Sequence, residues 1–252
     1  MTDVRFALGG SLYEPFGSRP EAKFLVSYAY INEITSLRKV TASPDWVLDS
    51  GAYTAFKSGK PIKLDSFIAF CKDILDKPNP PTEIFALDVI GDWKASLRNV
   101  EKMWAKGVEA IPTYHAGEPE DYLLGIARDY PKIAVGGAAG RIRSKEGRIK
   151  FTEQCFARIW PCRVHGFGVG NFDQIMSVPW HSVDHTTWAN PRRFGSYKSL
   201  GRPKGRGNET VQKPSLDRSK MSIAPEIDYY LNYQKKAKAK WRKQLELLKD
   251  LS

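Results

Sequence analysis

Ile84-Phe85-Ala86-Leu87-Asp88 is the stretch that decides the fold, because four apolar residues in a row end at a carboxylate. Short apolar runs without alternation are typical of strands that are buried on both faces, as in a parallel sheet. Seven further runs of similar length recur along the 252 residues. The eight predicted strands cover residues 5–8, 24–28, 46–49, 84–88, 110–114, 133–136, 164–167 and 181–184.

Amphipathic stretches separate these runs and predict helices over residues 64–75, 95–106, 118–129 and 151–159. Repeated strand-helix units predict an α/β fold, a TIM-type (β/α)8 barrel formed by residues 1–190. Two points stay open at this stage. One of the first two strands could be an added element, and an open doubly wound sheet would show the same periodicity.

Residues 191–252 are predicted to form a basic loop followed by one long basic and aromatic helix, over residues 224–251, that packs on the barrel. The chain carries a formal net charge of +11, which favours an acidic partner such as nucleic acid but equally fits a soluble basic protein. Placed after a candidate catalytic strand, the loop is expected to contact phosphates. The predicted nucleic-acid-binding residues are Arg192, Arg193, Arg202 and Arg206.

Neither a secretory signal pattern nor an apolar run of about 20 residues is found, so we expect a cytoplasmic protein with no membrane partner. Cys71, Cys155 and Cys162 are three widely spaced cysteines, which suits a reducing compartment. Cys155 and Cys162 lie near His165, but without a C-x-x-C pair they do not predict a zinc site. We therefore expect neither a metal nor a cofactor.

Polar residues and glycines lie at the ends of several predicted strands. In a TIM-type barrel the carboxyl ends of the strands converge on one pocket, so we expect these residues to lie close together. They are Asp49, Asp88, His115, Gly136, Gly137, His165 and Asp184. Two carboxylates that face a sugar carbon can cleave an N-glycosidic bond, one as nucleophile and the other as acid or base. Spacing alone fits a sugar hydrolase equally well.

Five segments at these strand ends resemble, in order, motifs of the tRNA-guanine transglycosylase superfamily. They are LDSGAY (48–53), LDVIGD (87–92), PTYHAGE (112–118), AVGG (134–137) and SVDHTTW (182–188), within residues 45–190. They look closest to the DNA-modifying, DpdA-type enzymes of phages and bacteria. The resemblance implies a glycosyltransferase that exchanges guanine in DNA for a 7-deazaguanine base, such as 7-cyano-7-deazaguanine.

The same resemblance assigns roles to individual positions. Asp184 would be the nucleophile that attacks the sugar C1′ and forms a covalent intermediate, and Asp49 would be the general acid/base. The predicted substrate-binding residues are Asp88, His115, Gly136, Gly137, Ser50 and Tyr53. Tyr53 or Tyr114 would stack on the extruded base, although core packing is an equally good account of both tyrosines.

The tRNA enzymes of this superfamily carry a structural zinc site of clustered cysteines near their carboxyl end, and this chain has no cysteine after Cys162. DNA is therefore the expected polymer, with a free 7-deazaguanine base as the second substrate. Three alternatives remain: a tRNA transglycosylase that uses the same aspartates, a glycosidase that releases the base to water, and a non-catalytic DNA-binding barrel. The sequence leaves open whether the protein forms a homodimer.

Overall fold

Eight parallel strands form one curled sheet in the computed structural model, which describes residues 2–8, 19–30, 45–194, 197, 199 and 222–249. The strands are β1 (Asp3–Leu8), β2 (Lys23–Ser27), β3 (Trp46–Asp49), β4 (Glu83–Ile84), β5 (Thr113–His115), β6 (Lys132–Gly136), β7 (Arg163–Gly166) and β8 (Ser182–His185). Their order across the sheet is β4-β3-β2-β1-β8-β7-β6-β5. Strands that are consecutive in the chain are thus neighbours, which differs from the order of a doubly wound sheet.

The two outermost strands of this sheet approach each other. Phe85, just after β4, forms an isolated parallel bridge with Ile111, just before β5. The Ala86 N–H donates to the Ile111 carbonyl at 2.9 Å, and the Ile111 N–H donates to the Ile84 carbonyl at 2.8 Å. Backbone hydrogen bonds therefore connect the two outer ends of the curled sheet.

Helices alternate with the strands along the chain. They are α1 (Ala52–Ser58), α2 (Leu64–Leu75), α3 (Trp93–Ala105), α4 (Glu120–Asp129), α5 (Ala138–Arg141), α6 (Lys145–Ile159), α7 (Phe172–Ser177), α8 (Asn190–Phe194) and α9 (Ala224–Lys249). Two short 3-10 helices cover Tyr28–Tyr30 and Thr187–Ala189. None of the helices in the described ranges is both long enough and apolar enough to cross a membrane.

Two predicted strands needed correction, and one open point is resolved. β1 pairs with both β2 and β8, so neither of the first two strands is an added element. The fourth strand is shorter than predicted and ends at Ile84. The fifth begins at Thr113 rather than at residue 110, because Pro112 has no N–H to donate to a neighbouring strand.

The predicted helices differ from the observed ones mainly at their first turns. The prediction of residues 64–75 matches α2, whereas α6 begins six residues before the predicted start at residue 151. The Ser144 hydroxyl caps α6 by accepting a hydrogen bond from the Gly147 N–H at 3.0 Å. Helices α1 and α7 were not predicted, since six or seven residues are too few to show a helical period.

The two faces of the sheet contain separate clusters of side chains. One face packs against the helices and holds most of the apolar core. The opposite face holds a smaller apolar cluster, formed by Ala7, Leu25, Val47, Phe85, Ile111 and Ala134. Because side chains alternate between the faces of a strand, the polar residues at the strand ends flank this inner cluster.

Helix α9 contacts β1, α7 and the 3-10 helix at Thr187–Ala189. The Gln234 side chain accepts a hydrogen bond from the Val4 N–H at 2.8 Å, and the Tyr230 hydroxyl lies 2.7 Å from the Thr187 hydroxyl. Helix α9 thereby covers the outer face of the sheet beside the last strand. It supports the backbone just after β8, the strand that contains Asp184.

Candidate active site

Asp49 ends β3 and is held by the turn that follows it. The Gly51 N–H donates to Asp49 Oδ2 at 3.1 Å. Gly51 has a φ of +79°, and a Cβ there would lie 2.6 Å from the Ala29 Cβ, so both the conformation and the space require glycine. Ser50 is buried, and its hydroxyl accepts from the Ala52 N–H at 3.4 Å at the start of α1.

Burial, together with the negative charge of Asp88, raises the pKa of Asp49 to about 6. Polar groups of Ser27, Gly51 and Ser50 act in the opposite direction but do not cancel these effects. The carboxyl of Asp49 can therefore gain and lose a proton close to neutral pH. That property is what a general acid/base requires.

Asp184 is buried in β8, where a backbone N–H and a histidine ring nitrogen meet the same carboxyl oxygen. The Gly168 N–H lies 3.1 Å from Asp184 Oδ1, and His165 Nε2 lies 3.3 Å from it. Burial and the charge of Asp49 outweigh the opposing effect of the Gly168 N–H and raise the pKa of Asp184 to about 7. The two carboxyls thus influence each other, and each titrates far above its ordinary range.

A different arrangement surrounds His115, at the end of β5. Its Nε2 lies 3.1 Å from Asp88 Oδ2, and its Nδ1 lies 3.4 Å from Glu118 Oε1. Burial alone would lower the pKa of His115, but hydrogen bonds and charges from Asp88 and Glu118 outweigh burial and raise the pKa to about 9. At neutral pH this is an imidazolium cation held between two carboxylates.

Gly136 and Gly137 bring the backbone after β6 beside the His115 ring. A Cβ at Gly137 would lie 3.2 Å from the His115 Cβ, and one at Gly136 would lie 3.4 Å from His115 Cδ2. Gly137 also has a φ of +72°, which favours glycine. The structure therefore brings Asp88, His115, Gly136 and Gly137 together, as the sequence analysis expected of the strand ends.

The two candidate stacking tyrosines lie in different surroundings. Tyr53 is 58% exposed on α1, and the Lys57 ammonium lies 5.2 Å from its ring centroid. Tyr114 is buried, donates from its hydroxyl to the Glu118 carbonyl at 2.9 Å, and stacks on Phe151. Tyr114 is a core residue, so Tyr53 is the candidate for contact with a base.

Of the four predicted phosphate-binding arginines, two lie in the described part of the chain. Arg192 and Arg193 lie in α8, just after the strand that carries Asp184, and Arg193 is exposed. Arg202 and Arg206 lie outside the described residues. The structure thus places two of the four guanidinium groups on the segment that leaves the candidate site.

Two residues with clear contacts had received no role from the sequence. Glu118 accepts a hydrogen bond from the His115 N–H at 2.7 Å in addition to its contact with the ring. Its signal was its position three residues after a strand-end histidine. His165 was noted at a strand end, but the sequence does not show that it reaches Asp184 on the neighbouring strand. In the residues that the structure describes, His, Cys, Asp and Glu form no group of three that could hold a metal ion.

No protein-family model matches this chain, and neither does any curated protein. The assignment of a reaction therefore depends on the five motifs and on the contacts described above.

Proposed function

We propose that this protein is a DNA-guanine transglycosylase, which exchanges guanine in DNA for a free 7-deazaguanine base on a TIM-type (β/α)8 barrel. The observation that carries the proposal is the pair of carboxyls formed by partly buried Asp49 and buried Asp184, whose pKa values are raised to about 6 and about 7. Paired carboxyls that titrate near neutral pH in a cleft are typical of acid/base and nucleophilic chemistry. The motif resemblance adds the class of substrate.

In the first step, the Asp184 carboxylate attacks C1′ of the target nucleotide, and the bond from C1′ to the guanine N9 breaks. The bonding electrons leave with guanine, and protonated Asp49 donates a proton to the departing base. In the second step, the incoming 7-deazaguanine gives its N9 proton to Asp49 and attacks C1′, which releases Asp184. Two displacements on the same carbon keep the configuration of the sugar.

These roles require Asp184 to be ionised while Asp49 holds the proton. In the free protein the two pKa values lie close together, with that of Asp184 the higher, and more hydrogen bonds lower the pKa of Asp49 than that of Asp184. Positive charge that develops on C1′ favours the ionised form of the carboxyl nearest to it. The Gly168 N–H on Asp184 Oδ1 favours the same form, and the negative charge of Asp88 favours protonated Asp49. We therefore expect substrate binding to leave Asp184 ionised and Asp49 protonated.

The cluster around His115 supplies the polar groups for recognition of a purine. Guanine presents N–H donors at N1 and N2 and an acceptor at O6, so a carboxylate such as Asp88 complements its donor edge. Asp88 Oδ2 is occupied by His115, which fixes the direction of this carboxylate. The backbone at Gly136 and Gly137 is the candidate donor to O6. Adenine would leave these polar groups unpaired and would be rejected.

The test is incubation with duplex DNA, and separately with tRNA, in the presence of 7-cyano-7-deazaguanine, followed by digestion to nucleosides and mass spectrometry. A modified deoxynucleoside that forms with the wild-type protein but not with Asp184→Asn supports the proposal. A modified nucleoside found only in tRNA would show that tRNA, and not DNA, is the polymer substrate. Release of guanine without incorporation of the new base would indicate a glycosidase. No product and no released base would contradict the proposed activity on either polymer.

A further inference from the structure

A row of hydrogen bonds crosses the inner face of the sheet and ends at Asp184. Lys132, at the start of β6, lies with its Nζ 3.2 Å from the Ser182 hydroxyl at the start of β8. That hydroxyl lies 2.8 Å from His165 Nδ1, and His165 Nε2 lies 3.3 Å from Asp184 Oδ1. Lys132, Ser182, His165 and Asp184 are all buried. Three strands thus contribute to one connected row of polar groups.

The donor and acceptor capacities of these groups determine which group donates in each hydrogen bond of the row. A lysine ammonium has three N–H donors and no acceptor, and Lys132 also donates to both Glu83 oxygens at 2.6 Å. Its contact with Ser182 must therefore make the serine oxygen an acceptor. The serine proton is then directed to His165 Nδ1, which leaves the imidazole proton on Nε2. The Nε2–H donates to Asp184 Oδ1.

The surroundings of His165 keep its imidazole neutral. Burial lowers the pKa of His165 well below its usual value, and the positive charges of Lys132 and Arg5, with His181, lower it further. Phe85 and Phe167 enclose the ring, with centroid distances of 4.6 and 4.8 Å. A neutral ring with Nδ1 engaged by a donor can present a proton only at Nε2.

Both donors to Asp184 reach Oδ1, one from His165 and one from the Gly168 N–H. From the part of the chain that the structure describes, no hydrogen bond reaches Oδ2. We propose that His165 is a positioning residue for Asp184, and that Lys132 and Ser182 fix its tautomer so that Oδ2 is left to react. The part of this inference that concerns reaction depends on the proposed function, whereas the tautomer does not.

The tautomer can be measured by ¹⁵N NMR of the imidazole groups, because the chain contains only four histidines. Burial lowers the pKa of Lys132 to about 8, so we expect His165 to be neutral with its proton on Nε2 from pH 5 to 7, where Lys132 is still an ammonium. In Ser182→Ala the donor to Nδ1 is lost, and we expect a mixture of the two neutral tautomers. Ser177→Ala is the matched control, since Ser177 is a hydroxyl on α7 that donates to the Gln174 carbonyl.

The ¹³C resonance of the Asp184 carboxyl measures the consequence for the proposed nucleophile. The charged or titratable groups near it are Asp49 on β3 and His165 on β7, and Lys132 and Arg5 act through His165. Loss of a donor to the carboxylate should raise the Asp184 midpoint by about one pH unit in His165→Leu. His165→Gln retains an N–H donor and should restore the midpoint of the wild-type protein. If His165→Leu does not fold, Ser182→Ala gives the same test with a smaller upward shift.

The outcomes separate this inference from the proposed function. A His165 proton on Nδ1, a charged His165 at pH 7, or an Asp184 midpoint unchanged in both His165→Leu and Ser182→Ala would overturn the positioning role. If the protein exchanges no base but shows the expected His165 tautomer and the expected shift of the Asp184 midpoint, the row of hydrogen bonds is supported and the transglycosylase activity is contradicted. If base exchange is observed, the acid limb of the pH profile of kcat should shift in the same direction as the titration midpoint of Asp184.

Discussion

The site contains two groups of carboxylates that are built in opposite ways. Asp88 and Glu118 share the imidazolium cation of His115, so one positive charge compensates part of their two negative charges inside the protein. Within the part of the chain that the structure describes, neither Asp49 nor Asp184 forms an ion pair with lysine or arginine, and burial raises the pKa of both. Compensated charges hold a fixed arrangement for binding, whereas uncompensated carboxyls can exchange protons near neutral pH.

Asp184→Asn should have the largest effect, with opposite consequences for activity and stability. Turnover should fall by about 10⁴-fold or more, because an amide cannot replace a nucleophilic carboxylate. A carboxyl whose folded-state pKa is raised destabilises the fold once it ionises, so native stability is lost as the pH rises from about 4 through about 7. The amide removes this loss and should increase the free energy of unfolding at pH 8 by up to about 4 kcal/mol.

Urea unfolding of Asp184→Asn at pH 4 and pH 8 measures this gain in stability, which should be absent at pH 4. Asp173→Asn is the control, because Asp173 is an exposed carboxylate paired with Lys145 on the surface. An Asp184→Asn variant that is no more stable than the wild-type protein at pH 8 would show that ionisation of the buried Asp184 carboxyl does not destabilise the fold.

Asp49→Asn should reduce kcat by about 10²- to 10⁴-fold, the range for loss of a general acid/base. The covalent intermediate should still form with a good leaving group, since Asp184 is intact. Single-turnover and steady-state kinetics on the same DNA measure both steps. Asp65→Asn changes an exposed carboxylate and should leave kcat unaltered; an Asp49→Asn kcat equal to that of the wild-type protein would remove the acid/base role.

Glu118→Gln tests the compensated group and should lower the pKa of His115 by about one unit, because one of two neighbouring negative charges is lost. The pKa of His115 is raised to about 9, so its ion pairs stabilise the fold fully below pH 6.5, and this stability is lost as the pH rises through 9. NMR titration of the His115 ring measures the shift, with Glu120→Gln as a control on the exposed start of α4. A wild-type midpoint near 6.5 would contradict the ion cluster.

Neutralisation of Arg192 and Arg193 should give the smallest effect, on DNA affinity rather than on chemistry. If each contacts one phosphate, the slope of log affinity against log salt should decrease in magnitude by about 2. Arg128→Gln with Arg158→Gln removes the same charge from α4 and α6 and serves as the control. A salt slope equal to that of the wild-type protein would show that these arginines in α8 do not contact the DNA phosphates.

Most of the sheet could be predicted from the sequence because each strand is a local apolar run. Asp49 and Asp184 could be placed at strand ends for the same reason, since the run and the carboxylate that follows it are adjacent in the chain. The short helix α1 was missed, although Gly51 and Gly59, both with positive φ, mark its two ends. Patterns of periodicity do not register a helix of seven residues.

The contacts that distinguish the two groups of carboxylates could not be predicted in this way. The row of hydrogen bonds from Lys132 to Asp184 depends on the register of β6, β7 and β8, and these strands pair residues that are far apart in the chain. The raised pKa values depend on burial and on neighbouring charges, neither of which is a property of a local segment. Glu118 alone had a local signal, at three residues from His115.

The most direct test of the central claim is a search for a covalent bond between the protein and DNA. The protein is incubated with a guanine-containing oligonucleotide without an incoming base, denatured, and examined by mass spectrometry of the intact adduct and of its peptides. We predict a deoxyribosyl ester on Asp184, with loss of guanine from the same oligonucleotide, and no adduct in Asp184→Asn. An adduct that persists in Asp184→Asn, or that maps to Asp49, would contradict the assignment of the nucleophile.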